Sequence, residues 1–156
     1  MDAAAEIAEV RLEILIGATP ERTFQALVDE TSFWWHKEFY TRPGADRFVI
    51  ERRLGGLVHE DWGGGEGQIW GVVNGLSAPS FLQVVGDSSS EWGGPHRSIM
   101  TWRLEAEGDG TRLSFDQALH GKVNEDTRAS LEAGWKLLFE GCLKPYAETG
   151  AVERAP

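Results

Sequence analysis

Gly134-Trp135 is the stretch that decides the fold, and it lies inside a long amphipathic helix near the C-terminus. A second informative stretch, Ala18-Thr19-Pro20-Glu21-Arg22-Thr23-Phe24-Gln25-Ala26-Leu27, opens a helix near the N-terminus. Thr19 can cap that helix, and Pro20 suits its first turn because proline lacks an amide hydrogen that would go unbonded there. Most of the chain between these helices alternates apolar and polar residues, which is typical of strands. The order predicts an α+β protein in which one curved sheet grips the C-terminal helix.

The strand pattern is clearest in the first predicted strand, residues 8–16, where apolar residues alternate with mostly charged ones. A second short helix is predicted over the aromatic-rich residues 31–39. Six further strands are predicted at residues 48–53, 57–62, 68–76, 81–85, 98–105 and 111–117. Asp109-Gly110 between the last two favours a tight hairpin turn, since such turns need a positive φ that glycine adopts freely.

The C-terminal helix carries its own boundary signals. Asn124 can cap it, and Gly150 is a plausible stop. Pro145 should bend its last turns, because the proline ring meets the carbonyl group of Gly141. One face of this helix collects Leu131, Trp135, Leu138, Cys142 and Tyr146.

Composition narrows the classes of function. The 156 residues suit one domain, and 41% hydrophobic residues suit a globular core. A net charge of -10 argues against nucleic acid and anionic lipid surfaces as partners. No apolar run predicts membrane insertion, and the N-terminus lacks the features of a signal peptide. The single cysteine, Cys142, cannot form an internal disulfide, which suits a reducing compartment and predicts a cytoplasmic protein.

The order of elements and several short motifs together resemble one superfamily. Besides residues 18–27 and Gly134-Trp135, the motifs are Trp34-Trp35, Gly55-Gly56, Gly71-Val72-Val73 and Gly110-Thr111-Arg112-Leu113. They span residues 7–148 and resemble the START-like, or SRPBCC, superfamily, in the branch of homologues of the activator of the heat-shock-protein-90 ATPase. Two departures are Asn74-Gly75-Leu76-Ser77-Ala78-Pro79, with one proline where the branch often has two, and Gln117, where a histidine is common.

This resemblance implies a helix-grip fold, with seven antiparallel strands around the C-terminal helix and two short helices after the first strand. It also implies one START-like domain over residues 1–156, with a core of about 7–149. In many relatives a cavity between sheet and helix takes apolar or aromatic molecules. Relatives include lipid carriers, hormone receptors, polyketide cyclases and co-chaperones, so the fold alone does not assign a function.

Two motifs could carry chemistry. His59-Glu60-Asp61 lies in a predicted strand, where His59 and Asp61 share one face and Glu60 takes the other. If the first pair faces the cavity, both are candidate catalytic groups; Val58 and Trp62 favour Glu60's face as the buried one. Gly63-Gly64-Gly65-Glu66-Gly67 lacks the lysine and spacing of a phosphate loop and predicts a hairpin. The four histidines lie far apart in sequence, which argues against a structural zinc site, and a distributed metal site built from His59 and Asp61 stays open as an alternative. No metal or other cofactor is predicted.

The first prediction is therefore a non-enzymatic domain that binds a small hydrophobic or aromatic molecule. The small residues Gly134 and Cys142 should leave space on the buried face of the helix. The predicted ligand-binding residues are Trp35, Phe39, His59, Asp61, Trp70, Met100, Trp102, Phe115, Gln117, Leu138 and Cys142. Two alternatives stay open: a cyclase- or hydrolase-like enzyme using His59, Asp61 or Gln117, and a co-chaperone-like interaction module. A homodimer also stays open.

Overall fold

Residues 4–151, the part of the chain that the computed structural model describes, form seven strands and four α-helices. The strands are β1 (Glu6–Ile16), β2 (Phe48–Ile50), β3 (Leu57–Gly63), β4 (Glu66–Ser77), β5 (Phe81–Ser88), β6 (His96–Glu107) and β7 (Gly110–Gly121). The α-helices are α1 (Pro20–Asp29), α2 (Thr31–Trp34), α3 (Glu125–Leu138) and α4 (Lys144–Thr149). Short 3₁₀ turns cover Lys37–Phe39 and Ser90–Trp92, and a π-helical turn covers Phe139–Leu143.

All seven strands belong to one curved antiparallel sheet, in the order β1-β7-β6-β5-β4-β3-β2. Strand β1 pairs with β7 along its whole length, from Glu6 opposite Gly121 to Ile16 opposite Thr111. Consecutive strands from β2 to β7 are neighbours in the sheet, and short connections join them. The predicted helix-grip fold class is confirmed.

The helices after β1 follow the predicted local signals. The Thr19 hydroxyl oxygen accepts a hydrogen bond from the Arg22 amide at 3.2 Å, and Pro20 occupies the first turn. The predicted second helix, residues 31–39, is in fact two pieces. The backbone is extended at Trp35 and His36, which separates α2 from the 3₁₀ turn.

The β6–β7 hairpin forms as predicted, but the glycine with a positive φ is Gly108 and not Gly110. The turn residues are Gly108 and Asp109, and the positive φ, 58°, belongs to Gly108. That placement matches a turn with glycine at its first central position. Gly110 instead belongs to β7 and is needed for a close approach, because a Cβ atom there would clash with the carbonyl oxygen of Ile16.

The C-terminal helix begins and ends where predicted. The Asn124 side-chain oxygen accepts a hydrogen bond from the Thr127 amide at 2.9 Å. Gly150 ends the helix with φ 78°, and its amide donates to the carbonyl of Tyr146 at 2.7 Å. The disturbance expected at Pro145 is a π-helical turn just before the proline, where the Lys144 amide donates to the carbonyl of Phe139.

This long helix packs in two different ways along its length. We call residues 125–134 the leading segment and residues 135–147 the trailing segment. The leading segment has no buried residue, although Leu131 is partly buried. The trailing segment places six residues in the core: Trp135, Leu138, Phe139, Cys142, Leu143 and Ala147. The trailing segment is therefore the part that the sheet grips tightly.

Candidate functional site

A cavity of about 410 Å³ lies between the leading segment and the strands β4 to β7. Its lining residues come from the sheet, from the loop after the first 3₁₀ turn, from the second 3₁₀ turn and from α3. They are Thr41, Gln68, Ile69, Trp70, Asp87, Ser88, Trp92, His96, Ser98, Met100, Gln117, Leu131 and Trp135. This volume falls within the range of pockets that hold small molecules.

The lining combines six apolar residues, most of them large, with seven polar ones. Trp70, Met100, Leu131 and Trp135 present apolar surface. The Thr41 hydroxyl and the His96 Nδ1 atom are buried and have no hydrogen-bond partner within residues 4–151. Burial lowers the pKa of His96. A neutral imidazole offers one donor and one acceptor, so the site can recognise a polar group on an otherwise apolar molecule.

Strand β6 explains why the cavity lies beneath the leading segment. Alternate residues of a strand share a face, and His96, Ser98 and Met100 face the cavity while Trp102 faces the packed core further along. Serine and the unbranched methionine fill less of the interior than tryptophan does. The space is therefore left where the side chains of β6 are small.

Gln117 connects the cavity to the helix. Its side-chain oxygen accepts a hydrogen bond from the Trp135 indole nitrogen at 2.8 Å, and both residues are buried. This bond orients the Trp135 ring at the boundary between the leading and trailing segments. Gln117 was predicted as a ligand-binding residue, and it does line the cavity, although its oxygen is already bonded to the helix.

A β-bulge directs Trp70 inward. On β3 the neighbours Val58 and His59 pair with Gly71 and Ile69 of β4, so Trp70 is the extra residue. Its ring packs against Trp35 and Phe48, each with a centroid distance of 5.5 Å. The other side of the ring borders the cavity. Gly71 must lack a side chain, because a Cβ atom there would meet Val84 and the Val85 carbonyl oxygen.

Behind Trp70 lies a fully buried carboxylate, Glu60. The Thr41 amide donates to both of its oxygens, at 3.1 and 2.9 Å. The indole nitrogens of Trp62 and Trp70 donate at 3.2 and 2.9 Å. Two of these three donor residues, Thr41 and Trp70, also line the cavity. Glu60 therefore fixes part of the cavity wall without belonging to its surface.

In the His59-Glu60-Asp61 motif, the side chain of Glu60 points inward. This is the orientation predicted from Val58 and Trp62, which share its face of the strand. His59 and Asp61 lie on the outer face of β3, and Asp61 forms an ion pair with Arg47 at 2.9 Å. The condition for a catalytic pair in the cavity is not met. The reason is the twofold periodicity of the strand, which sends alternate side chains to opposite faces.

Several predicted ligand-binding aromatics belong to a packed cluster instead of the cavity surface. We call this the aromatic cluster; its eight rings are Trp34, Trp35, Phe48, Trp70, Trp102, Phe115, Trp135 and Phe139. Trp35 stacks on Phe48 at 4.0 Å, and Phe115 lies 4.9 Å from Phe139. The void left among these side chains is about 20 Å³. Trp35, Trp102 and Phe115 are therefore placed as core residues, as is the nearby Leu138.

The small residues of the helix do not create the cavity, contrary to the expectation. Gly134 faces the ring of Phe39, which a Cβ atom at this position would approach to 3.1 Å. Cys142 is buried in the core beside the π-helical turn. Neither Phe39 nor Cys142 lines the cavity. The space that Gly134 leaves is used by Phe39, and the cavity meets the helix at Leu131 and Trp135.

Of the predicted site residues, Trp70, Met100 and Gln117 come together in the cavity. The other ten lining residues and the supporting Glu60 were not predicted as site residues; the ten are Thr41, Gln68, Ile69, Asp87, Ser88, Trp92, His96, Ser98, Leu131 and Trp135. The alternation that selected Met100 and Trp102 on β6 would have reached Ser98 and His96 if it had been extended backwards. Thr41 and Trp92 lie outside the strands, and no periodic signal marks them.

Residues 4–151 contain neither a metal-binding cluster nor a membrane-spanning helix. No group of three or more His, Cys, Asp or Glu side chains in this range is arranged to hold a metal ion. Within the same residues, every helix is too short or too polar to cross a membrane.

Comparison with known proteins identifies the family of the chain and several similar structures. Residues 17–148 match the family described as activator of Hsp90 ATPase homolog 1-like protein. The solution structure of the Aha1 dimer from Colwellia psychrerythraea is 22% identical, with a TM-score of 0.63 and coverage of 92% of this chain and 98% of that one. A structure from Rhizobium leguminosarum is 18% identical, with a TM-score of 0.70 and coverage of 93% and 97%.

A third similar structure is DynU16, a protein of the dynemicin biosynthetic locus, at 21% identity and a TM-score of 0.67. The match covers 94% of this chain but 49% of DynU16, so the chain spans about half the length of that protein. No curated protein matches the chain. At these identities the structural likeness shows the fold alone, whereas the family match covers most of the sequence. The chain belongs to the family of activator of Hsp90 ATPase homolog 1-like proteins.

Proposed function

We propose that this protein binds a small hydrophobic or aromatic molecule in the cavity beneath the leading segment. The observation that carries the proposal is the cavity itself, about 410 Å³ with a largely apolar wall and the polar groups of Thr41 and His96. Binding energy would come mainly from apolar area removed from water, about 25 cal/mol per Å² before the costs of association. The polar groups would select among ligands of similar shape.

The first experiment is a titration with Nile red, an uncharged apolar dye whose emission changes when it leaves water. We expect one saturable site, accompanied by a change in tryptophan fluorescence because Trp70 and Trp135 border the cavity. Native mass spectrometry of protein purified without denaturation would weigh any molecule retained from the cell. Absence of saturable binding would contradict the proposal.

A matched pair of variants locates the site. Leu131→Trp should occupy part of the cavity and weaken Nile red binding by at least about tenfold, equivalent to about 1.4 kcal/mol. Leu137→Trp is the control, because Leu137 lies on the same helix but is 47% exposed and does not line the cavity. Equal effects of the two variants would place the bound dye elsewhere.

The enzymatic alternative has less support from the geometry. His59 and Asp61 lie on the outer face, and the oxygen of Gln117 is bonded to Trp135. The interaction-module alternative is favoured by a filled interior, whereas this interior contains an open cavity. A turnover assay on a retained ligand separates binding from catalysis. Chemical conversion of that ligand would replace the binding proposal by an enzymatic one.

Two further expectations from the sequence belong to the same proposal. A cytoplasmic location suits the single buried Cys142, which forms no disulfide. A homodimer is supported by the similar Colwellia psychrerythraea protein, whose solution structure is a dimer. Sedimentation equilibrium at several protein concentrations measures the second directly, and a monomer at all concentrations would contradict it.

A further inference from the structure

We infer that the cavity discriminates between ligands by charge, and that the buried carboxylate of Glu60 is the specificity-determining residue that disfavours anions. This inference rests on the proposed function, since it concerns the ligand of the same cavity. It narrows the ligand class to aromatic or hydrophobic molecules that are uncharged or carry a positive charge.

The hydrogen bonds of Glu60 indicate that its side chain is ionised. Its hydrogen bonds come from one backbone amide and two indole nitrogens, all of them N–H donors. An ionised carboxylate only accepts hydrogen bonds, whereas a protonated one would need an acceptor for its own hydrogen. The arrangement therefore matches the ionised group. None of these donors is a lysine or an arginine, so among the described residues no cation forms a hydrogen bond with the carboxylate; the guanidinium group of Arg42 lies over the Trp62 ring, 5.0 Å from its centroid.

The charge of Glu60 lies directly behind the cavity wall. Glu60 binds Thr41 and Trp70, which form part of the cavity wall, so the charge lies one side chain behind that wall. A buried charge is screened by solvent far less than a surface charge. Its field therefore extends into the cavity and opposes a second negative charge there.

Within residues 4–151, the cavity lining contains no cationic side chain that would offset the charge of Glu60. Among the described residues that line the cavity, none is lysine or arginine. The lining does include Asp87 at its edge, but the guanidinium group of Arg97 binds both oxygens of Asp87, at 3.0 and 3.2 Å. Asp87 is thus largely neutralised, while Glu60 is not. Glu60 has no such ion pair within the described part of the chain, so its charge is the one that we expect to act on a ligand in the cavity.

The test uses three naphthalene derivatives with the same ring: the neutral naphthalenemethanol, the anionic naphthoate and the cationic naphthylmethylammonium. Each is measured by displacement of Nile red from the wild-type protein at pH 7. Any apolar cavity penalises both ions, because both must lose their hydration. The ratio of cation to anion affinity removes this common cost and reports the sign of the field. We expect the cation to bind at least about tenfold more tightly than the anion.

Glu60→Gln tests the source of the field, because it removes the charge at nearly constant size. The ratio of cation to anion affinity should fall about tenfold in this variant. Asp61→Asn is the matched control, since it removes the same charge from the neighbouring residue on the outer face. It should leave the ratio within about twofold of the wild type. A purely structural role of Glu60 would weaken all three probes together and leave the ratio unchanged.

The outcomes separate the two proposals. If neither Nile red nor naphthalenemethanol binds, the proposed function fails. If they bind but the wild-type protein binds cation and anion equally, the charge inference is overturned, whether or not Glu60→Gln folds. A ratio that persists in a folded Glu60→Gln variant would also overturn it.

Discussion

The leading and trailing segments of one continuous helix meet very different interiors. Residues 125–134 cover a cavity of about 410 Å³, whereas residues 135–147 press into the aromatic cluster, where the void is about 20 Å³. Leu131 of the leading segment and Trp135, Leu138 and Cys142 of the trailing segment were predicted to share one face of the helix. The difference shows that periodicity indicates which face of a helix points inward but not whether the interior beneath it is filled.

The cause lies in the residues opposite the helix. Phe139 and Trp135 of the trailing segment stack on each other, and Phe139 also contacts Trp34, Trp102 and Phe115. The leading segment instead faces the smaller or more flexible Ser98 and Met100. Stability should therefore be concentrated in the trailing segment and ligand binding in the leading one.

The largest effect is expected for Phe139→Ala. Phe139 is fully buried among four aromatic rings, so truncation should lower the free energy of unfolding by about 3–5 kcal/mol. Urea denaturation measures this change. The matched variant in the leading segment is Leu131→Ala, which should cost less than about 1.5 kcal/mol, because this side chain already borders open space. Equal losses would remove the contrast between the segments.

A smaller effect is expected at the boundary between them. Trp135→Phe removes the indole nitrogen that binds Gln117 and leaves a buried oxygen without its donor. The expected loss is about 1–3 kcal/mol of stability. Binding of Nile red should weaken as well, because Trp135 also lines the cavity. A variant that lost stability but bound the dye unchanged would show that the two segments are independent at this residue.

The smallest effect concerns the anchor of the helix end. Burial opposes ionisation of Glu148, but hydrogen bonds from Lys144 and from the Gly17 amide outweigh it and lower the pKa of Glu148. A lowered pKa in the folded state contributes stability above the unfolded-state value, and this contribution is lost as the pH falls through the folded-state pKa. Glu148→Gln should therefore cost about 1 kcal/mol at pH 7 and progressively less below the ordinary glutamate value of 4.5.

Glu140→Gln serves as the control for this prediction. Glu140 is exposed on the same helix and reaches Lys136 only at 4.0 Å, so its removal should change stability by less than about 0.5 kcal/mol. Chemical denaturation of the three proteins across this pH range measures both effects. A difference between wild type and Glu148→Gln that grows as the pH falls would reverse the assigned sign.

The fold was predictable because its signals are local. The alternation in β1, the caps at Thr19 and Asn124 and the stop at Gly150 each act within a few residues. The hairpin between β6 and β7 was also predictable, although the positive φ lies at Gly108 and not at Gly110. Local chemistry thus identified the elements, while the exact turn depended on how β7 approaches Ile16.

The candidate site was less predictable because it depends on packing between distant residues. Trp35 and Trp70 look equivalent in sequence, yet one stacks on Phe48 and the other is turned toward the cavity by a bulge. The complete burial of Glu60 is harder still to predict from sequence, since charged residues are rarely buried completely. Its inward direction followed from Val58 and Trp62, but its role required the donors from Thr41 and Trp70.

The central claim is that the ligand binds beneath the leading segment, and hydrogen exchange with and without saturating Nile red tests it most directly. Without the dye, residues 125–134 should exchange faster than residues 135–147, because they have fewer buried contacts. The dye should slow exchange in residues 125–135 and in the cavity-lining parts of β4 and β6, and leave residues 136–147 nearly unchanged. Protection confined to the outer face of the sheet, or none in the leading segment at saturation, would contradict the account.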